Sequence, residues 1–307
     1  MTIAITSAAG KPLVTICICT FRRESIRTTL HSIAERANAK DVAEVLIIDN
    51  EITDNSGRIL KAADDAGISV RYVHAPACNI SIARNAGLAQ CSTRWLAFID
   101  DDETAEDGWL DYLLEHTGVA NAIIGQSMAI YGGELPDWTR NCDFHSNRIS
   151  GRTDNAYTSN ALIDMDFVKK HNLAFDLSLG KSGGEDTLFF RQMSQMGGAF
   201  VYEPRSVVSE AVSPSRATMS WVLKRRFRYG QVHALVSRIT GETGSLRLAF
   251  SAAVKLGFCS AMVALTAWNP DQARQWLARG TMHAGVVAFL VKPQMLQEYE
   301  IVQAPAG

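Results

Sequence analysis

The sequence has almost no net charge, no paired-cysteine spacing, no internal repeat and no low-complexity tract, and each absence removes a class of protein. Thirty Lys and Arg stand against 32 acids, a formal net charge of −2, so no global field draws the chain to nucleic acid and any basic patch must be argued locally. Cys17, Cys19, Cys78, Cys91, Cys142 and Cys259 form no C-x-x-C pair, and two of them lie inside an apolar strand-like run. That pattern fits buried, reduced thiols in a cytosolic protein rather than a zinc site or a disulfide frame. Residues 1–10 are small and polar, without the basic stretch and apolar core of a secretory signal, so none is expected. With 47% apolar and 20% charged residues over 307 positions, the composition is that of an ordered globular protein. That length allows one large α/β domain or two smaller ones.

What is present is organised around Leu96-Ala97-Phe98-Ile99-Asp100-Asp101-Asp102-Glu103, an apolar run that empties into four acids. Mutual repulsion makes such a cluster unfavourable unless a cation neutralises it, and a divalent metal does so most directly. Taken alone, the cluster reads first as a solvated acidic turn. Its surroundings decide between the two.

Leu13-Val14-Thr15-Ile16-Cys17-Ile18-Cys19, Val45-Leu46-Ile47-Ile48, residues 68–74 and residues 95–99 read as strands. Helical spacing falls between them: Ile26, Leu30, Ile33 and Ala37, then Ile59, Leu60 and Ala63, then residues 79–91. Thr104-Ala105-Glu106-Asp107 has the form of a capping box for a further helix burying Trp109, Leu110, Leu113 and Leu114. This alternation predicts an α/β fold with a parallel, doubly wound sheet. In such a sheet ligands bind beyond the carboxyl ends of the strands, so Thr20–Arg23, Asp49–Glu51 and Asp100–Glu103 should face one crevice.

The second half is less regular. Residues 122–131 read as a strand, and 132–151 as a polar functional loop. Residues 159–168 read as extended and then helical, and Gly180-Lys181-Ser182-Gly183-Gly184-Glu185-Asp186 as a flexible loop entering a helix. Residues 221–239 form a basic amphipathic segment with Lys224-Arg225-Arg226-Phe227-Arg228. Residues 250–268 are apolar apart from Lys255, and their small side chains favour packing at a membrane surface over spanning.

Chemically, strand-end carboxylates can hold Mg²⁺ or Mn²⁺ with a substrate phosphate. Arg84 can hold a diphosphate or ribose, Asp49 can accept from a base imide N–H, and Asp186 or Glu185 can serve as a general base. The plainer reading of the last pair is an acidic helix start that stabilises the macrodipole.

The ordered set Thr20-Phe21-Arg22-Arg23, Ile48-Asp49-Asn50, Ala83-Arg84-Asn85, Asp100-Asp101-Asp102 and Gly184-Glu185-Asp186 resembles the family 2 inverting glycosyltransferases of the GT-A fold, over about residues 12–230. More narrowly, residues 79–85, 98–104, 143–146, 177–186 and 224–230 resemble the glucosyltransferases of succinoglycan-type exopolysaccharide assembly.

The resemblance implies a metal-dependent transfer of β-linked glucose, with a β-1,4 bond following from its narrower form, from UDP-glucose to a polyprenyl-diphosphate-linked oligosaccharide at the cytoplasmic face of the inner membrane. Asp49 would contact uracil, Thr20, Phe21 and Arg22 would line its pocket, and Arg84, Asp100 and Asp101 would sit near the donor. Asp102 would be the main metal ligand, helped by Asp100 and by Glu210, which stands where many relatives place a metal-binding His. Asp186 would be the base with Glu185 beside it, and Arg225, Arg226 and Arg228 would meet a diphosphate or the acceptor. Residues 1–240 would form the GT-A domain, split at 120 into nucleotide and acceptor halves, and 241–307 a membrane-associating helical region.

Two other readings use the same residues. A sugar nucleotidyltransferase has a similar sheet but would want a glycine-rich loop after the first strand, and Thr20–Arg23 contains no glycine. A membrane-associated scaffold without turnover would not need the complete set of acids.

Overall fold

The computed structural model describes residues 13–148 and 156–296, so the 1–10 segment and the end of the 132–151 segment lie outside the described residues. The first apolar run is strand β1 (Val14–Thr20); Val14, Ile16 and Ile18 enter one core layer and Cys17 the other, as a strand buried on both faces requires. There follow α1 (Ile26–Arg36), β2 (Val42–Asp49), α2 (Ser56–Asp65), β3 (Val70–His74), α3 (Ile80–Gln90) and β4 (Trp95–Ile99). β3, β2, β1 and β4 lie side by side in that order, all parallel. Strand order reverses between β1 and β4, which opens a ligand crevice at their carboxyl ends.

β5 (Glu103–Ala105), α4 (Trp109–Leu114), β6 (Ala122–Ile130), α5 (Asp137–Cys142), β7 (Asn160–Asp164), α6 (Met165–Lys170), α7 (Glu185–Gln195) and β8 (Phe200–Ala211) complete an eight-stranded sheet of order β3-β2-β1-β4-β7-β6-β8-β5. Beyond β4 the sheet is mixed: β7 runs antiparallel to β4 and to β6, and β5 antiparallel to β8. Among its described residues the connection from β6 to β7 carries the short α5 alone, and the strand returns antiparallel. α1, α2 and α4 cover one face of the sheet, and α3, α6 and α7 the other.

The expected capping box is not one. Glu103, Thr104 and Ala105 pair with Glu210, Ser209 and Val208 of β8, and α4 starts instead from Gly108 in the left-handed region (φ 74°) with no side-chain cap. Ladder bonds to a distant strand outweigh the local capping signal. All six cysteines are free thiols.

The C-terminal unit is α8 (Met219–Thr240), α9 (Ser245–Leu265) and α10 (Pro270–Val291), with α10 packed against both others. A Cβ at Gly230 would overlap the Met282 carbonyl oxygen and one at Gly285 would overlap that of Phe227, so glycine alone permits this close crossing of α8 and α10. α9 buries Ala252 and Cys259 and exposes Leu246, Phe250, Val254 and Phe258 at four-residue spacing. Its length and apolar character would let it cross a membrane.

Candidate active site

The three strand-end clusters do converge. Thr20 Oγ1 at the end of β1 donates to Asp101 Oδ2 at 2.7 Å, and the Phe21 N–H reaches the same oxygen at 3.4 Å. Asp101 therefore ties the end of β1 to the turn after β4, and burial pushes its carboxyl up to about 7. Arg22 adopts a left-handed backbone (φ 57°) that turns its side chain to Glu51. Arg23 is the one that reaches the acids, pairing with Asp102 and approaching Asp101 at 3.4 Å. Sequence reading favoured Arg22 of this pair; the backbone reversal selects its neighbour.

Asp49 is fully buried at the end of β2. It accepts from the Glu51 N–H at 3.0 Å, the Asn55 N–H at 3.3 Å, Asn55 Nδ2 at 3.2 Å and the Tyr72 hydroxyl at 2.9 Å. Here it holds the turn after β2 rather than lining a cavity, and the neighbouring Asn50 lines one in its place.

On α3, started by the Asn79 side chain accepting from the Ser81 and Ile82 N–H groups, Arg84 pairs with Glu185 and lies 3.9 Å from Asp100. Burial opposes its charge, but Glu185, Asp186 and Asp100 outweigh that and hold its pKa above the ordinary value. Glu185 and Asp186 open α7 after Gly183 and Gly184, whose φ of 79° and 95° suit glycine. The two acids are not equivalent: Glu185 is buried against Arg84, while half-buried Asp186 has Oδ1 fixed by the Thr187 N–H at 2.6 Å.

Glu210 of β8 stands opposite Glu103 in the β5–β8 ladder and pairs with Arg216, which also lies 3.8 Å from Asp102. Burial and the adjacent Asp102 carboxylate raise the Glu210 carboxyl to about 7. Asp100 and Glu103 are also raised, by burial first and then by neighbouring carboxylates. Glu103 accepts from Ser127 Oγ at 2.6 Å and from the Asp100 N–H at 3.1 Å. Such crowding is relieved by a cation, and hard oxygens suit Mg²⁺ or Mn²⁺, so this donor set fits a divalent ion. Sequence reading set Arg23 and Glu103 among the strand-end clusters facing the crevice without giving either a role, and it missed Arg216, for which no local signal was present.

Two cavities meet at Arg23, Arg84, Asp100 and Asp102. The smaller, about 220 Å³, is bounded by Cys19, Thr20, Asn50, Cys78 and Ile80. The larger, about 1140 Å³, contains Asp186 and Glu210 and runs on to Arg225, Arg226 and Arg228 of α8. Arg225 Nε donates to the Tyr229 hydroxyl at 2.5 Å, with its guanidinium 5.0 Å from the Trp221 ring centroid. Arg226 donates to the Phe144 carbonyl at 3.3 Å, and burial lowers its pKa. Both are thus held by aromatic neighbours as well as facing the cavity.

A doubly wound sheet with paired acids at the β4 terminus, a second acid pair at a glycine-led helix start and a nucleoside-sized cleft between them defines a GT-A-type sugar-nucleotide transferase. The chain belongs to glycosyl transferase family 2, whose model matches residues 15–171. It is 36% identical over 299 residues to the succinoglycan biosynthesis protein ExoM of Rhizobium meliloti (strain 1021), covering 93% of this chain and 95% of that protein. It is 25% identical over 249 residues to the glucosyl-dolichyl phosphate glucuronosyltransferase of Haloferax volcanii, covering 71% of this chain and 75% of that one. The crystal structure of GalNAc-T7 with UDP, GalNAc and Mn²⁺ shares the fold at a TM-score of 0.55 and 15% identity, over 67% of this chain and 44% of that one.

Proposed function

We propose that the protein transfers glucose from UDP-glucose to a polyprenyl-diphosphate-linked oligosaccharide of a succinoglycan-like exopolysaccharide, inverting the anomeric carbon to give a β linkage. In this reading residues 1–120 hold the donor, 121–240 receive the acceptor, and 241–307 attach the protein to the cytoplasmic face of the inner membrane through α9. The observation that carries the reading is a single cavity holding Asp102 and Glu210 together with Asp186. The likeness to the succinoglycan biosynthesis protein, over nearly the whole of both chains, supports the pathway. Family membership sets the nucleotidyltransferase aside.

Asp102, Glu210 and Asp100 would hold Mg²⁺ or Mn²⁺, which when bound supplies positive charge to the leaving diphosphate. Thr20, Asn50 and Cys78 wall the cleft for the nucleoside, with Asp101 fixing Thr20. Arg84 and Arg23 stand where the cavities meet and counter the diphosphate charge, while Glu185 orients Arg84. Asp186 takes the acceptor proton as its oxygen attacks opposite the departing UDP, so one base suffices and no covalent sugar–enzyme species forms.

Incubation with a panel of UDP-sugars and Mn²⁺, with and without lipid-linked acceptor extracts, tests this by UDP release. Acceptor-dependent release from UDP-glucose is expected. UDP-glucose binding without release against any acceptor would replace the reading with a non-catalytic scaffold.

A further inference from the structure

The large cavity does not stop at the α8 arginines. It continues into a groove between α8 and α9, floored by α10, where Arg191 of α7, His233 of α8, Lys255 of α9 and His283 of α10 converge from four helices. Arg228 lines the approach to it. Among the described residues the acids that line the cavity come from the sheet end and the start of α7, and neither α8 nor α9 contains a carboxylate. Glu242, in the turn between those helices, pairs with Arg191 at 3.1 Å. Between the cationic groups the walls are apolar: Val236, Leu248, Ala252 and Val286.

We propose that this groove binds an alkyl diphosphate, with Arg228, His233, Lys255 and His283 around the phosphates and the apolar walls around the first carbons of the chain. The argument is complementarity. A nucleotide would set the polar edges of its base against these carbons, with Ser237 and Ser251 as the hydroxyls among them. A free phosphate would leave the apolar surface against water, at about 25 cal/mol per Å². An anion with an apolar tail satisfies both parts. Partial withdrawal from water and the Arg191 and Lys255 charges hold His233 below its ordinary pKa, and His283 is lowered likewise by burial, Lys255 and His233, so both imidazoles meet an anion first as hydrogen-bond donors beside the Lys255 charge.

The inference deepens the proposed function, resting on its acceptor class while using residues remote from the donor site. The test uses the full-length protein with UDP and Mn²⁺ present, so that the acid end is filled, and titrates farnesyl diphosphate by calorimetry. Binding is expected, with farnesol and inorganic pyrophosphate each at least about tenfold weaker, the loss of one charge-assisted or one apolar contribution. Lys255→Glu and His283→Glu should each weaken farnesyl diphosphate by a similar factor or more, Lys255→Arg should retain it, and melting temperature and UDP affinity should stay at wild type in all three. Wild-type affinity in both charge-reversed variants, or pyrophosphate binding as tightly as the farnesyl ester, would overturn the inference. Absence of UDP release from every UDP-sugar would instead overturn the transferase reading, and the titration would still report on the groove.

Discussion

At one end of the large cavity Asp100, Asp102, Glu103, Glu185, Asp186 and Glu210 crowd together; at the other stand Arg228, His233, Lys255 and His283, carried by α8, α9 and α10. The chain's formal net charge of −2 does not show this division, because it sums over every charged side chain. The poles also differ in mechanics. The acids are fixed to strand ends and a helix start, and Asp101 and Glu210 are pushed to about 7, so their charge costs free energy that a cation recovers. At the basic end Arg228 and Lys255 carry their charge on long side chains, which adjust at little cost. A rigid acid end suits a step that tolerates no displacement of the reacting atoms, and an adaptable basic end suits an acceptor that varies in length.

The comparison breaks most visibly at the acid end. Asp102→Ala should abolish transfer, and Asp186→Asn should cost about 10²–10⁴-fold in kcat. Near-native turnover in either folded variant removes the role given to that residue.

Chelation with EDTA should stop turnover and Mn²⁺ or Mg²⁺ should restore it. Glu210→Gln should raise the Mn²⁺ needed for half-maximal rate at least as much as the roughly 10–100-fold that loss of an outer-shell partner costs. An unchanged requirement would leave Glu210 as a ladder residue only.

For stability, Arg84→Ala leaves Glu185 buried and uncompensated and should cost about 3–5 kcal/mol in denaturant unfolding. Lys255→Ala at the opposite pole should stay within about 0.5 kcal/mol. Equal losses would mean that the two ends are built alike.

A structural effect smaller than that at Arg84 concerns the crossing that holds the basic end in place. Gly230→Ala should cost about 1–3 kcal/mol through overpacking against Met282, with kcat at the acid end falling less than in Asp186→Asn.

The parallel half of the fold was legible because apolar runs and helical spacing are local, and the acid cluster because a strand leads straight into it. Other features were decided by distant partners. β5 forms only because β8, about a hundred residues later, pairs with it and sets Glu103 opposite Glu210. Asp49 turns inward because Asn55 and Tyr72 converge on it. Arg23 replaces Arg22 because of one backbone reversal, a conformation uncommon for a side chain of that size. The basic groove needs α8, α9 and α10 stacked before its histidines meet, and no spacing within one helix announces that.

The glycine crossing of α8 and α10 carries one more implication. Two helices whose backbones touch cannot slide past one another without collision, so α10, which carries α9, is locked in height to α8 and through it to the cavity. Whatever surface Leu246, Phe250, Val254 and Phe258 rest upon, the catalytic acids stand off from it by a fixed span. In the proposed reaction the fold would act as a gauge block, favouring acceptors whose reactive hydroxyl sits at the matching height above that surface.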